Sequence, residues 1–168
     1  MQIALPTVRI ASTGVAPDLL NARSVVYSAR VQPLSQFERA LVDRFGCSVY
    51  SFEHASDARH RSQLDVVSDE RPRAPQLSVL ERVFLLMRQR GHRHIDLLRL
   101  DLAGAEYATI DALAGSELRP CQLIVGFHHH LPHLSLAHTE RALTQLNELG
   151  YRIFDCQPSG HEYSLALV

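Results

Sequence analysis

Two patterns of apolar residues alternate along the chain. Short runs of consecutive apolar residues are typical of buried strands, and longer segments with apolar residues at every third or fourth position are typical of helices with one buried face. Their order predicts units in which a helix connects two parallel strands. Strands are predicted at residues 24–28, 48–52, 95–100 and 122–127, and helices at 35–46, about 80–91, 105–113 and 135–149.

The end of the chain has a different pattern. Two extended runs, residues 152–156 and 163–168, are separated by only six residues, Gln-Pro-Ser-Gly-His-Glu. Because this connection is too short for a crossover helix, the two runs are predicted to pair as an antiparallel hairpin. The predicted fold class is therefore α/β, with a mostly parallel sheet and a C-terminal antiparallel hairpin.

Two regions lack a clear period. Residues 1–23 contain Pro6, Gly14 and Pro17 and are predicted to be a loosely organised lead-in or a short covering helix. Residues 54–78 are rich in Arg, Asp, Ser, His and Pro and are predicted to be a flexible linker. The full length of 168 residues fits a single domain.

The most informative segment is residues 95–107, IDLLRLDLAGAEY, in which an apolar run ends at Asp101 and turns through Gly104 into a helix. In open α/β sheets, ligands lie beyond the carboxyl ends of the strands, so a residue placed like Asp101 faces the ligand. Asp101 could instead cap the following helix with its side chain. A capping box of Ser35 and Glu38 is predicted to open an earlier helix, which ends at Gly46.

Several segments, taken in order, resemble the FkbM-like family of S-adenosylmethionine-dependent methyltransferases. The family's usual corner motif is DIEGAEY, and the chain has DLAGAEY at 101–107. Further matches are SVVYS at 24–28, ALVDRFGC at 40–47, QLIVGFHHH at 122–130, GYRIFD at 150–155 and PSGHEYS at 158–164. The resemblance implies a Rossmann-like fold and O-methyl transfer to a small molecule or a saccharide.

The resemblance also implies roles for individual residues. Asp101, Glu106 and His128 are the candidate catalytic residues, with His128 as a possible general base. Ser28, Glu53 and Asp101 are the candidate contacts to S-adenosylmethionine. Glu106 could equally complement the dipole of its helix, and Glu53 could be a solvated acid at the end of a strand.

The chain departs from the family pattern where the first strand meets its helix. The family has Gly-x-Gly there, whereas this chain has Arg30, Val31 and Gln32, followed by Pro33. Bulky side chains hinder the approach of a cofactor to the backbone, and proline has no N–H to donate. The resemblance also implies that this chain lacks a complete third strand–helix unit, because residues 54–78 have too few apolar residues to form one.

Two acids of the family are also replaced, by Ala103 and by Gly126. By the resemblance as a whole, the chain is expected to be a working methyltransferase. Alternatively, it could be a catalytically degenerate member that acts as a binding or assembly module, or a remnant of a shortened gene.

Charge and composition exclude some partners. The net charge of −1, with acids and bases interspersed, predicts no nucleic-acid or membrane partner. Three dispersed cysteines and the lack of an apolar run of roughly 18 residues predict a cytoplasmic protein with reduced thiols. The histidines at 128–130 and His133 are not accompanied by a nearby Cys or acid to complete a ligand set, so no metal site is predicted.

Overall fold

The computed structural model describes residues 2–31, 36–53 and 77–168. Within these ranges it has eight strands, four α-helices and one turn of 3₁₀-helix at Pro17–Leu19. The strands are β1 (Val8–Ile10), β2 (Thr13–Val15), β3 (Val25–Arg30), β4 (Ser48–Glu53), β5 (Leu97–Asp101), β6 (Gln122–Gly126), β7 (Tyr151–Cys156) and β8 (Glu162–Leu167). The helices are α1 (Gln36–Phe45), α2 (Val79–Arg90), α3 (Glu106–Ala114) and α4 (Leu136–Glu148).

Six strands form one sheet in the order β4-β3-β5-β6-β8-β7. Strands β4, β3, β5 and β6 are parallel to one another, whereas β8 is antiparallel to both β6 and β7. The prediction of an α/β fold with a mostly parallel sheet and a C-terminal antiparallel hairpin is therefore confirmed. Among the strands of the described ranges, β4 lies at one edge of this sheet.

Alternate residues of the strands point to opposite sides of the sheet. One side, which we call the apolar face, carries Tyr27, Leu98 and Leu123 and packs against α2, α3 and α4 in a single hydrophobic cluster. The other side is covered by α1 and by the β1–β2 hairpin. We call it the charged face because Arg30, Arg99 and other polar residues lie on it beside apolar ones.

The prediction for residues 1–23 was wrong. This segment contains the β1–β2 hairpin, which pairs as a separate two-stranded antiparallel sheet. The Gln122 side chain holds the segment by accepting from the Ala16 N–H and donating to the Ala16 carbonyl, at 3.0 and 3.2 Å. Ser164 donates a further hydrogen bond to the Gly14 carbonyl at 2.7 Å. These contacts are with the C-terminal half of the chain, so local periodicity could not reveal them.

The other described elements lie near their predicted positions, but their first or last residues differ from the prediction. β3 extends two residues further than predicted, to Arg30, and β5 ends on Asp101. Ser78 opens α2 with a capping box to Glu81. Ser35 and residues 54–76 of the predicted linker lie outside the described residues. No helix in the described ranges is long and apolar enough to cross a membrane.

Candidate functional site

Asp101 lies at the carboxyl-terminal edge of the parallel strands, between the ends of two neighbouring strands. Its register partners are Arg30 on β3 and Gly126 on β6. Its side chain is 32% exposed; Oδ2 is 3.5 Å from Arg30 Nη2, and Oδ1 is 3.6 Å from His128 Nε2. The cap position of α3 is taken by Ala105, which makes no side-chain capping bond, so the alternative role of Asp101 as that cap is wrong.

Glu106 is the first residue of α3 and is completely buried. Its Oε2 accepts a hydrogen bond from the Gly104 N–H at 2.8 Å, and its Oε1 accepts one from the His128 N–H at 2.8 Å. Oε1 also lies 3.1 Å from His128 Nδ1. Glu106 therefore joins the β5–α3 corner to the end of β6, besides lying in the first turn of its helix where the dipole favours an acid.

His128 lies between two carboxylates. Nδ1 faces buried Glu106, and Nε2 faces partly exposed Asp101. An imidazole held in this way can accept a proton or a hydrogen bond at the nitrogen that faces the sheet edge. The structure thus brings all three candidate catalytic residues together.

The corner between β5 and α3 has an unusual backbone. Ala103 has a φ of +48° and Gly104 a φ of +106°. A left-handed conformation costs a residue with a Cβ about 1–2 kcal/mol, and such strain is concentrated at functional sites. Ala103 is exposed, and it occupies the position where the FkbM-like pattern has an acid.

Gly126 leaves space beside Asp101. A Cβ added to Gly126 would lie 3.5 Å from Asp101 Oδ1, at ordinary contact distance. An acid at this position, as in the FkbM-like pattern, would therefore be adjacent to the Asp101 carboxylate. Because Gly126 has no side chain, Asp101 and His128 face each other directly at this position.

A chain of buried ion pairs crosses the charged face. Glu38 of α1 is fully buried, and its carboxylate lies 3.2 Å from Arg30 Nη1 and 3.3 Å from Arg99 Nη1. Arg99 Nη2 lies 3.1 Å from Glu162 Oε2, and Thr13 donates to Glu162 Oε1 at 2.6 Å. This chain of contacts connects α1, β3, β5, β8 and the N-terminal hairpin.

Sequence reasoning missed this network. Arg99 was included in a strand predicted to be almost entirely apolar, and Glu38 was interpreted as a capping residue. One signal was available, because an arginine inside an apolar strand is buried only when it is paired.

The candidate cofactor contacts lie near the same edge. Ser28 is completely buried and donates a hydrogen bond to Glu38 Oε1 at 2.8 Å. Glu53 ends β4 and is the register partner of Arg30. The side chain of Arg30 is 7% exposed and lies between Glu38 and Asp101. Gln32 and Pro33 lie outside the described residues.

Several histidine rings lie close to one another around His128. The rings of His129 and His161 are 4.8 Å apart, and those of His128 and His130 are 5.6 Å apart, between centroids. Nδ1 of His129 lies 3.2 Å from Thr139 Oγ1. In the ranges that the structure describes, no three His, Cys, Asp or Glu side chains are placed to hold a metal ion.

Two small cavities lie elsewhere in the molecule. One, of about 190 Å³, lies between α4 and the β7–β8 hairpin, and the other, of about 120 Å³, lies between α2 and α3. Neither is lined by Asp101, Glu106 or His128. No protein-family model, no curated protein and no solved structure matches the chain.

Proposed function

We propose that this chain is a Rossmann-like domain of the S-adenosylmethionine-dependent methyltransferase type, with a small-molecule or saccharide acceptor binding at Asp101 and His128. The arrangement of four parallel strands followed by an antiparallel pair supports this proposal, since methyltransferases of this fold have the same layout. The resemblance to the FkbM-like family supports it as well. Methyl transfer to an oxygen of the acceptor is the reaction expected of this type of domain.

S-adenosylmethionine supplies an electrophilic methyl group when it is bound, and Ser28, Glu53 and Asp101 are the residues that would hold it. The residues that the structure describes do not fit this cofactor. Arg30 is the last residue of β3, and the resemblance aligns it with a glycine that would let backbone N–H groups approach a ligand. The Ser28 hydroxyl is already bonded to Glu38, and the Asp101 carboxylate is paired with Arg30.

Between a working methyltransferase and a catalytically degenerate member, we therefore favour the degenerate member, which retains acceptor binding without methyl transfer. The observation that carries this choice is the buried Arg30 guanidinium between Glu38 and Asp101. Moving Arg30 aside to admit a cofactor would leave Glu38, which is completely buried, without one of its cationic partners. Separating such a pair typically costs about 3–5 kcal/mol.

Cofactor binding tests this choice directly. Isothermal titration and thermal denaturation of the full chain with millimolar S-adenosylmethionine should give no heat of binding and no rise in Tm. A ligand that binds only the folded state must raise Tm, so the two measurements check each other. Heat together with a higher Tm would instead support a working methyltransferase.

The Arg30→Gly variant tests whether Arg30 is the obstacle. If it is, this variant should bind S-adenosylmethionine more tightly than the wild type, provided that circular dichroism shows that it is folded. Arg39→Gly is the matched control, because Arg39 is an exposed arginine on α1. Equal binding by both variants would show that Arg30 does not control access.

A further inference from the structure

We infer that Glu106 fixes His128 in the tautomer with its proton on Nδ1, and that the edge of the sheet thereby offers two hydrogen-bond acceptors to a vicinal diol of a saccharide. The acceptors are His128 Nε2 and Asp101 Oδ1. The inference rests on the proposed function for the location of the ligand, and it adds the chemical class that this location selects.

The first step is the tautomer. Both oxygens of the buried Glu106 carboxylate accept hydrogen bonds from backbone N–H groups, those of Gly104 and His128. These oxygens therefore act as acceptors. With His128 Nδ1 only 3.1 Å from Oε1, an N–H on Nδ1 makes a further hydrogen bond, whereas a lone pair on Nδ1 would face another lone pair. The proton consequently belongs on Nδ1.

The second step follows for the other nitrogen of the ring. In this tautomer Nε2 carries a lone pair, and it faces Asp101 Oδ1 at 3.6 Å. Two acceptors cannot bond to each other, and this distance exceeds that of a hydrogen bond. The side chains of His128 and Asp101 are 22% and 32% exposed, so a ligand can reach both acceptors. Gly126 has no side chain that would fill the space beside Oδ1.

The third step is the class of ligand. Two adjacent acceptors require a group that donates two hydrogen bonds in nearly one direction, and neighbouring hydroxyls of a sugar ring do so. A primary ammonium also has several donors, but Arg30 Nη2 already places a positive charge 3.5 Å from the same carboxylate. The Arg30 guanidinium would repel a second cation bound beside this carboxylate, so a neutral diol fits better than a cation.

The tautomer can be measured on its own, without any cofactor. Long-range nitrogen–proton NMR spectra of the nitrogen-15-labelled chain at about pH 8, where an ordinary imidazole is neutral, report which ring nitrogen carries the proton. We expect a protonated Nδ1 in His128, and loss of this preference in Glu106→Gln. Glu140→Gln, which changes an exposed glutamate of α4, should leave the signals of His128 unchanged. A protonated Nε2 in the wild type, in either a neutral or a charged ring, would overturn the inference.

The ligand class is tested with methyl α-mannopyranoside, which has vicinal hydroxyls, and with its isopropylidene acetal across the two cis hydroxyls, which has none left. The mannoside should shift the Nε2 signal of His128, the acetal should not, and the signals of exposed His138 should not move with either sugar. Asp101→Ala should weaken mannoside binding about tenfold, the loss expected for one hydrogen bond to a charged group. An unmoved His128 signal, or equal shifts with both sugars, would contradict the diol site whether or not the chain binds S-adenosylmethionine.

Discussion

The two faces of the sheet bury different kinds of side chain. On the apolar face, Tyr27, Leu98 and Leu123 pack into a hydrophobic cluster against three helices. On the charged face, the next residues of β3 and β5, Ser28 and Arg99, contact Glu38 in a network of hydrogen bonds and ion pairs. These residues are buried on both faces, but their partners differ in specificity. Apolar groups can pack against many neighbours, while a buried charge needs a particular partner in a particular position.

This difference gives the two faces different roles. The apolar face supplies most of the non-directional stabilisation, because burial of hydrocarbon is favourable wherever it occurs. The charged face specifies how α1 and the N-terminal hairpin are placed, since Glu38 and Thr13 must meet Arg99 and Glu162. The charged face also reaches the candidate site through Arg30 and Asp101.

The largest expected effect comes from breaking the network at its centre. Glu38→Ala leaves two buried guanidinium groups without the carboxylate they share, so we expect a loss of about 3–5 kcal/mol in the free energy of unfolding. Urea denaturation at neutral pH, followed by circular dichroism, measures this loss.

Two reference variants make this result interpretable. Asp43→Ala removes an exposed acid from the same helix and should change the free energy of unfolding by less than about 0.5 kcal/mol. Leu98→Ala truncates a fully buried residue on the apolar face and should cost about 2–5 kcal/mol through the lost burial and the cavity. If Glu38→Ala behaved like Asp43→Ala, the electrostatic description of the charged face would be wrong.

The same contrast explains what could be predicted from the sequence. Apolar periodicity located the strands and helices of the main sheet, because burial of one helix stripe or of a whole strand leaves a repeating pattern. It also located Asp101 at the carboxyl end of β5. Strands of only three residues, such as β1 and β2, are too short to show a period, and their contacts lie far away in the chain.

The site was partly predictable for a similar reason. Asp101 and His128 follow directly after predicted strands, Glu106 lies in the first turn of a predicted helix, and the three side chains lie together at the edge of the sheet. The partners that determine their state were not predictable. Arg30 contacts Asp101 from the neighbouring strand β3, and Glu38 contacts Arg99 from a helix, so that only three-dimensional packing reveals these pairs.

A smaller effect is expected where the N-terminal hairpin lies against the charged face. A Cβ on Gly14 would overlap the side chain of Asp155, which also pairs with Arg9 at 2.8 Å. Gly14→Ala should therefore lower the free energy of unfolding by about 1–3 kcal/mol, the usual cost of overpacking. Ala11→Gly, at an exposed residue with a φ of +54°, serves as a control that should not destabilise. An unchanged midpoint in urea for Gly14→Ala would show that the hairpin is not held closely.

The smallest effect concerns a polar pair at the rim of the apolar face, where the Tyr27 hydroxyl lies 2.9 Å from His92 Nδ1. Partial burial lowers the pKa of His92, and the positive charges of Arg90 and His94 lower it further. The folded state therefore favours the neutral ring. The contribution of His92 to stability is present above its unfolded-state pKa of about 6.5 and is lost as the pH falls through its lower pKa in the folded state.

Urea midpoints measured from neutral to mildly acidic pH should consequently decline less steeply for His92→Gln than for the wild type. The His133→Gln variant changes an exposed histidine and should retain the wild-type slope.

At alkaline pH the effect of Tyr27 on stability has the opposite sign, because burial raises the pKa of Tyr27 to about 12. The contribution of Tyr27 to stability is complete below about pH 10, the usual pKa of tyrosine, and is lost as the pH rises towards the pKa of the folded state. The urea midpoint should therefore decline less steeply at alkaline pH for Tyr27→Phe than for the wild type. Identical slopes in wild type and variants would mean that this face has no titrating pair at its rim, and the contrast between the two faces would then be sharper than the structure indicates.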